Sequence, residues 1–118
     1  MTTIKLISLI AMAVLYIFAG ISHFRMSKFF LKITPKWVPY PEKVNILVGC
    51  IEILLGIGLF FSETRYLAAL GIIALLVAVF PANIYHFQEA RKKGKLVTQT
   101  LIRLPIQLVL IYWAYSFL

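Results

Sequence analysis

The sequence predicts an all-α protein, a four-transmembrane-helix bundle with a short interfacial segment between helices 1 and 2. Three observations carry this. Of the 118 residues, 62% are hydrophobic and only 14% charged, too few charges for the surface of a soluble globule of this size. The apolar residues gather into four runs, each near the ~20 residues that a spanning helix needs. The basic residues fall mainly between those runs. Four spans and short connections use up the length, which gives one membrane domain over 1–118 and no soluble module.

The first run predicts a span over about 3–24. It is longer than the apolar core of a signal peptide and lacks a small-x-small cleavage site. Tyr16, Gly20 and His23 share one face at helical spacing. Residues 25–42 are mixed: Lys28, Lys32 and Lys36 recur every four residues beside Phe29, Phe30 and Ile33. That pattern suits a short helix in the headgroup plane, anchored by Trp37 and Tyr40, with Pro35, Pro39 and Pro41 turning the chain back.

The second span, about 43–61, carries Asn45, Gly49, Glu52 and Gly56 on one stripe. Small residues there admit a neighbouring helix, and polar ones face the bundle interior. Cys50, the single cysteine, excludes an internal disulfide and reads as a small packing residue. Ser62–Arg65 forms a tight turn that leads into the third span, about 65–87, where Ala68, Gly71, Ala78 and Ala82 are small contact positions. Inside it Pro81 withholds an N–H, frees the carbonyl of Val77 and loosens the helix ahead of Asn83 and His86. Residues 88–97 form a basic loop. The fourth span, about 98–117, has Gln99, Arg103 and Gln107 on a polar stripe and Tyr112, Trp113 and Tyr115 as an aromatic belt.

The net charge is +8. Because the cations lie between apolar runs, they encode topology and contact with lipid headgroups, not nucleic-acid binding. Nine cations flank the first and third connections, against Lys5 and Arg65 on the other side. Positive-inside bias therefore places those connections in the cytoplasm and both termini outside. At about 1.5 Å per residue, His23, Glu52, Asn83, His86, Arg103 and Gln107 all fall in the same half of the bilayer. Each needs a partner there, since an unpaired polar group in an apolar medium costs roughly 2–7 kcal/mol. Glu52 and Arg103 are the natural ion pair.

The chain also resembles the DoxX/DoxX-like family of small four-helix bacterial membrane proteins. The residues that carry the resemblance are Ala19–Phe24 (AGISHF), Val48–Gly56 (VGCIEILLG), Ala78–Tyr85 (AVFPANIY) and Arg103–Gln107 (RLPIQ). The resemblance implies a four-span bundle in the bacterial inner membrane. It also implies an association with redox systems, the founding one being the membrane subunit of a thiosulfate:quinone oxidoreductase.

Three functions from different classes follow. One is a binding module whose cleft holds a quinone or lipid on Glu52, Asn83, Arg103, His23, His86 and Gln107 and serves a partner oxidoreductase subunit. A second is a structural or assembly subunit, in which the same residues only fix helix register. The third is a transporter or proton path, disfavoured by four spans with polar groups in one half and no inverted repeat; a homo-oligomer would be required to rescue it. Nothing marks an autonomous enzyme: there is no flavin motif, nucleophile–base pair or redox thiol pair, and no catalytic residue is assigned. No HxxxH, CxxC or clustered carboxylate spacing points to a metal.

Overall fold

The computed structural model describes residues 2–118. It holds five α-helices and, among the described residues, no strand: α1 (Thr3–Arg25), α2 (Ser27–Ile33), α3 (Pro41–Gly58), α4 (Ser62–Lys93) and α5 (Val97–Tyr115). Three of them, α1, α4 and α5, are long and apolar enough to cross a membrane. Helix α3 differs, because its 18 residues include Glu42, Lys43 and Glu52. Large apolar side chains cover the outside of the bundle, from Ile4 and Phe18 on α1 through Leu54 and Val77 to Val109 on α5. In water that exposure would be costly; in hydrocarbon it is the solvated surface.

Two pairs of helices build the bundle. Helix α1 packs along α3, α4 packs along α5, and the pairs join mainly through α3 and α4. The α1–α3 seam is a backbone approach. A Cβ on Gly20 would lie 2.5 Å from the Gly49 carbonyl oxygen, and one on Gly56 would lie 2.8 Å from that of Ala13. Glycine is required at both, and the small-and-polar stripe on α3 is thus the face turned to α1. Cys50 lies on the opposite, exposed side of α3, so it is not a packing residue within the bundle.

Packing is uneven along the bundle axis. At the end carrying both termini, Leu9, Met12, Ala13 and Tyr16 meet Leu59, Ala69, Ile72, Ala114 and Phe117 in one closed core. The indole Nε1–H of Trp113 donates to Ser8 Oγ at 2.7 Å, tying α5 to α1 there. The α3–α4 turn is capped at the same end: Arg65 Nε donates to the Leu59 carbonyl at 2.9 Å and Thr64 Oγ1 to that of Gly58 at 2.7 Å. A cation on terminal carbonyls also suits the helix dipole.

Two boundaries differ from the sequence expectation. Ser62–Arg65 is the first turn of α4 and not a separate turn, and α4 runs on to Lys93 through residues expected to form a loop. Its 32 residues span about 48 Å, well beyond a hydrocarbon layer of about 30 Å. A helix of that length extends beyond such a layer, which would let Arg91–Lys93 be helical and still hydrated. Gly94, at φ +68°, ends the helix in the left-handed region.

Candidate functional site

The end away from the termini is hollow. A cavity of about 770 Å³ separates the α1–α3 wall from the α4–α5 wall, and its lining includes His23, Glu52, Asn83, His86, Arg103 and Gln107. All six residues expected to share one volume therefore do so. The rest of the lining is largely apolar, for example Leu15, Val48, Val79, Ile106 and Leu110. Phe30 and Ile33 of α2, with Pro35, Trp37 and Val38 of the following turn, fold over the same space.

On the α1–α3 wall, His23 is held from three sides. Its Nδ1 lies 2.7 Å from Asn45 Oδ1, while Asn45 Nδ2 donates to the His23 carbonyl oxygen at 2.8 Å. Its ring stacks on Phe30 with centroids 4.0 Å apart. Its Nε2 faces Glu52 Oε2 at 3.4 Å, an ion-pair distance outside hydrogen-bond geometry. Glu52 Oε2 has no other partner.

On the α4–α5 wall, Arg103 Nη1 lies 3.2 Å from His86 Nδ1. A guanidinium only donates, so Nδ1 accepts and the proton of this imidazole sits on Nε2. Gln107 Nε2 donates to the Leu76 carbonyl at 3.3 Å, leaving a buried Oε1 without a partner. The Asn83 amide makes no hydrogen bond among the described residues, although it lines the cavity.

The expected Glu52–Arg103 ion pair does not form. Glu52 sits across from His23, and among the described residues Arg103 makes its one side-chain hydrogen bond with His86. The cause is rotational. The glycine seam fixes α3 against α1, which turns Glu52 toward its near neighbour, while Arg103 stays with α4, the helix that α5 packs on. Gln99, on the same stripe as Arg103, is exposed and takes no part; Thr100 beside it is buried and bonds to the Leu96 carbonyl at 2.8 Å. Sequence reasoning also missed Asn45 and Phe30 as parts of the site. Asn45 was legible as a member of the Gly49–Glu52 stripe; nothing in the periodicity marks Phe30 as a stacking partner.

Among the described residues, no three His, Cys, Asp or Glu side chains converge on a point where a metal could bind. The residues fit an amphiphile better. The cavity lies in the ~300–1,000 Å³ range of ligand sites, its walls suit a chain, and its lining includes the donors of Arg103, Asn83 and His86 Nε2.

The fold and cavity define a small helical membrane-type bundle with a polar site enclosed at one end. The chain belongs to the family described as Domain of unknown function (DUF8561), whose model matches residues 12–118. No curated protein and no solved structure matches it.

Proposed function

We propose that the protein is a four-span, DoxX-like protein of the bacterial inner membrane that binds a quinone or lipid in its polar-ended cavity and serves a membrane oxidoreductase. The observation that carries this reading is the cavity, which gathers all six candidate residues from four helices within an apolar lining. A quinone carries carbonyl acceptors on an apolar tail. Arg103, Asn83 and His86 Nε2 could donate to those carbonyls while the aliphatic walls take the tail. When bound, such a group supplies two-electron redox chemistry to a partner; this chain's residues bind, orient and exclude water.

Helix α3 completes the four spans in this reading. Its three charges do not bar it: Glu42 and Lys43 lie at its first turn, near an interface, and Glu52 faces inward. The basic connection after α1 and the basic end of α4 then lie in the cytoplasm, with both termini outside.

A cavity with no occupant should gain stability when filled. Phe in place of Ala19 or Ala82, both in the lining, separates the readings. Gently purified wild-type protein is solvent-extracted and the extract analysed by mass spectrometry and a reduced-minus-oxidised ultraviolet spectrum. The binding reading expects about one amphiphile per protein, lost in both folded variants. Variants that are more stable, from a wild type holding only bulk lipid, would leave a structural subunit.

A further inference from the structure

We propose that the cavity selects an amphiphile whose headgroup carries one negative charge, seated on Arg103, a proposal that rests on the reading of the cavity as an amphiphile site.

The charge of the site follows from its hydrogen bonds. The His23 carbonyl oxygen can only accept, so the Asn45 group bonded to it at 2.8 Å is the amide nitrogen. Asn45 Oδ1 must then face His23 Nδ1, and Nδ1 carries a hydrogen. The other ring nitrogen, Nε2, faces Glu52 Oε2 at 3.4 Å. A lone pair on each atom would repel in a site with little water. One proton between them removes the repulsion, whether it sits on nitrogen or oxygen. Either way, His23 and Glu52 together carry no net charge. His86 accepts from Arg103 on Nδ1 and is a neutral imidazole.

The lining contains no other Lys, Arg, Asp or Glu. Arg103 is therefore an uncompensated positive charge in a cavity whose lining is largely apolar, with no carboxylate partner among the described residues. Such a charge in an apolar setting is costly unless paired. The planar guanidinium fork matches a phosphodiester or carboxylate in two parallel bonds. Asn83, which makes no hydrogen bond among the described residues, and His86 Nε2–H add neutral donors in the same cavity.

The test is native mass spectrometry of the full chain, released from micelles with equimolar phosphatidylglycerol and diacylglycerol of identical acyl chains, the second lacking the phosphodiester. Wild type is expected to retain phosphatidylglycerol over diacylglycerol by about tenfold or more, the worth of a hydrogen-bonded charge contact. Arg103→Gln and Asn83→Asp should each bring the ratio close to one by lowering the retained phosphatidylglycerol. Asn83→Asp cancels the charge without removing any hydrogen bond within the protein, so it decides the matter if Arg103→Gln fails to fold. Equal retention by wild type overturns the proposal. So does a preference that survives both substitutions, which would belong to the surface cations Arg91–Lys93.

Added inorganic phosphate distinguishes the source of the anion. Displacement of phosphatidylglycerol means that a soluble anion satisfies Arg103; no displacement means that the tail is needed. Both support the anion site. A neutral amphiphile held as tightly as phosphatidylglycerol leaves the amphiphile reading intact and removes the charge selection. No retained amphiphile removes both.

Discussion

His23 and Asn45 exchange two bonds across the α1–α3 seam: Asn45 Nδ2 donates to the His23 carbonyl at 2.8 Å, and His23 Nδ1 donates to Asn45 Oδ1 at 2.7 Å. The carbonyl belongs to the last turn of α1, where the helix leaves its acceptors without intrahelical partners. Asn45 thus caps one helix from the side of another and fixes the tautomer of the imidazole at the same time. That orientation is what aims Nε2 at Glu52.

Asn45→Ala is expected to destabilise the protein by about 2–4 kcal/mol, because two bonds are lost and the His23 Nδ1–H is left in a part-buried place. Asn45→Asp should fare little better, since its carboxylate cannot donate to the His23 carbonyl. Denaturant unfolding in a fixed micelle checks both. An Asn45→Ala loss below about 0.5 kcal/mol, the ordinary surface range, would show that the seam does not depend on this exchange.

The His23–Glu52 contact predicts strong coupling. Removing either partner alone strands the other in the cavity wall, a change worth about 3–5 kcal/mol for buried pairs. Removing both leaves neither stranded. The double variant His23→Leu/Glu52→Leu should therefore be more stable than His23→Leu alone. Additive losses in this double-mutant cycle would mean that the two groups do not share a proton.

Much of this fold is legible in the sequence, and the exceptions share a cause. Four apolar runs become α1, α3, α4 and α5, and the Lys28–Lys32 spacing becomes α2. Depth along a helix follows from residue counting, so the shared volume of His23, Glu52, Asn83, His86, Arg103 and Gln107 was accessible. Rotation about the helix axis was not. Opposite charge alone suggests Glu52 with Arg103, but the close approach of Gly20 to Gly49 decides which helix Glu52 faces. The helical extension through Arg91–Lys93 was hidden for another reason: a charged run reads as a loop, although a helix that leaves the bilayer carries such a run without penalty. The turn at Pro35–Tyr40 has no periodicity, and its fold over the cavity depends on contacts that no local pattern encodes.

Two glycines should respond differently to the same substitution. At Gly20 an added methyl would meet the Gly49 carbonyl oxygen and Ile53 at 2.5 Å, so α1 and α3 must part. Gly20→Ala is expected to cost about 1–3 kcal/mol, as overpacking does, and to loosen the His23–Asn45 exchange one turn away. At Gly94 nothing lies within 4 Å of an added methyl, and only the φ of +68° resists it. Gly94→Ala should cost about 1 kcal/mol and leave the seam untouched. Disulfide crosslinking between cysteines placed across α1 and α3 reads the difference: slower in Gly20→Ala, unchanged in Gly94→Ala.

The packed end and the hollow end should be separable by substitution. Trp113 and Ser8 join α5 to α1 beside the Leu9–Phe117 core, and neither lines the cavity. Trp113→Phe removes the indole N–H with limited loss of apolar area and is expected to cost about 1 kcal/mol. Ser8→Ala should cost somewhat more, because it leaves that N–H part-buried and without a partner. The double variant should be no worse than Ser8→Ala. Neither change touches a residue lining the cavity, so the amphiphile retained per protein should equal that of the wild type. If ligand is lost in step with stability, the core does not insulate the two ends, and the cavity must be treated as part of one cooperative bundle.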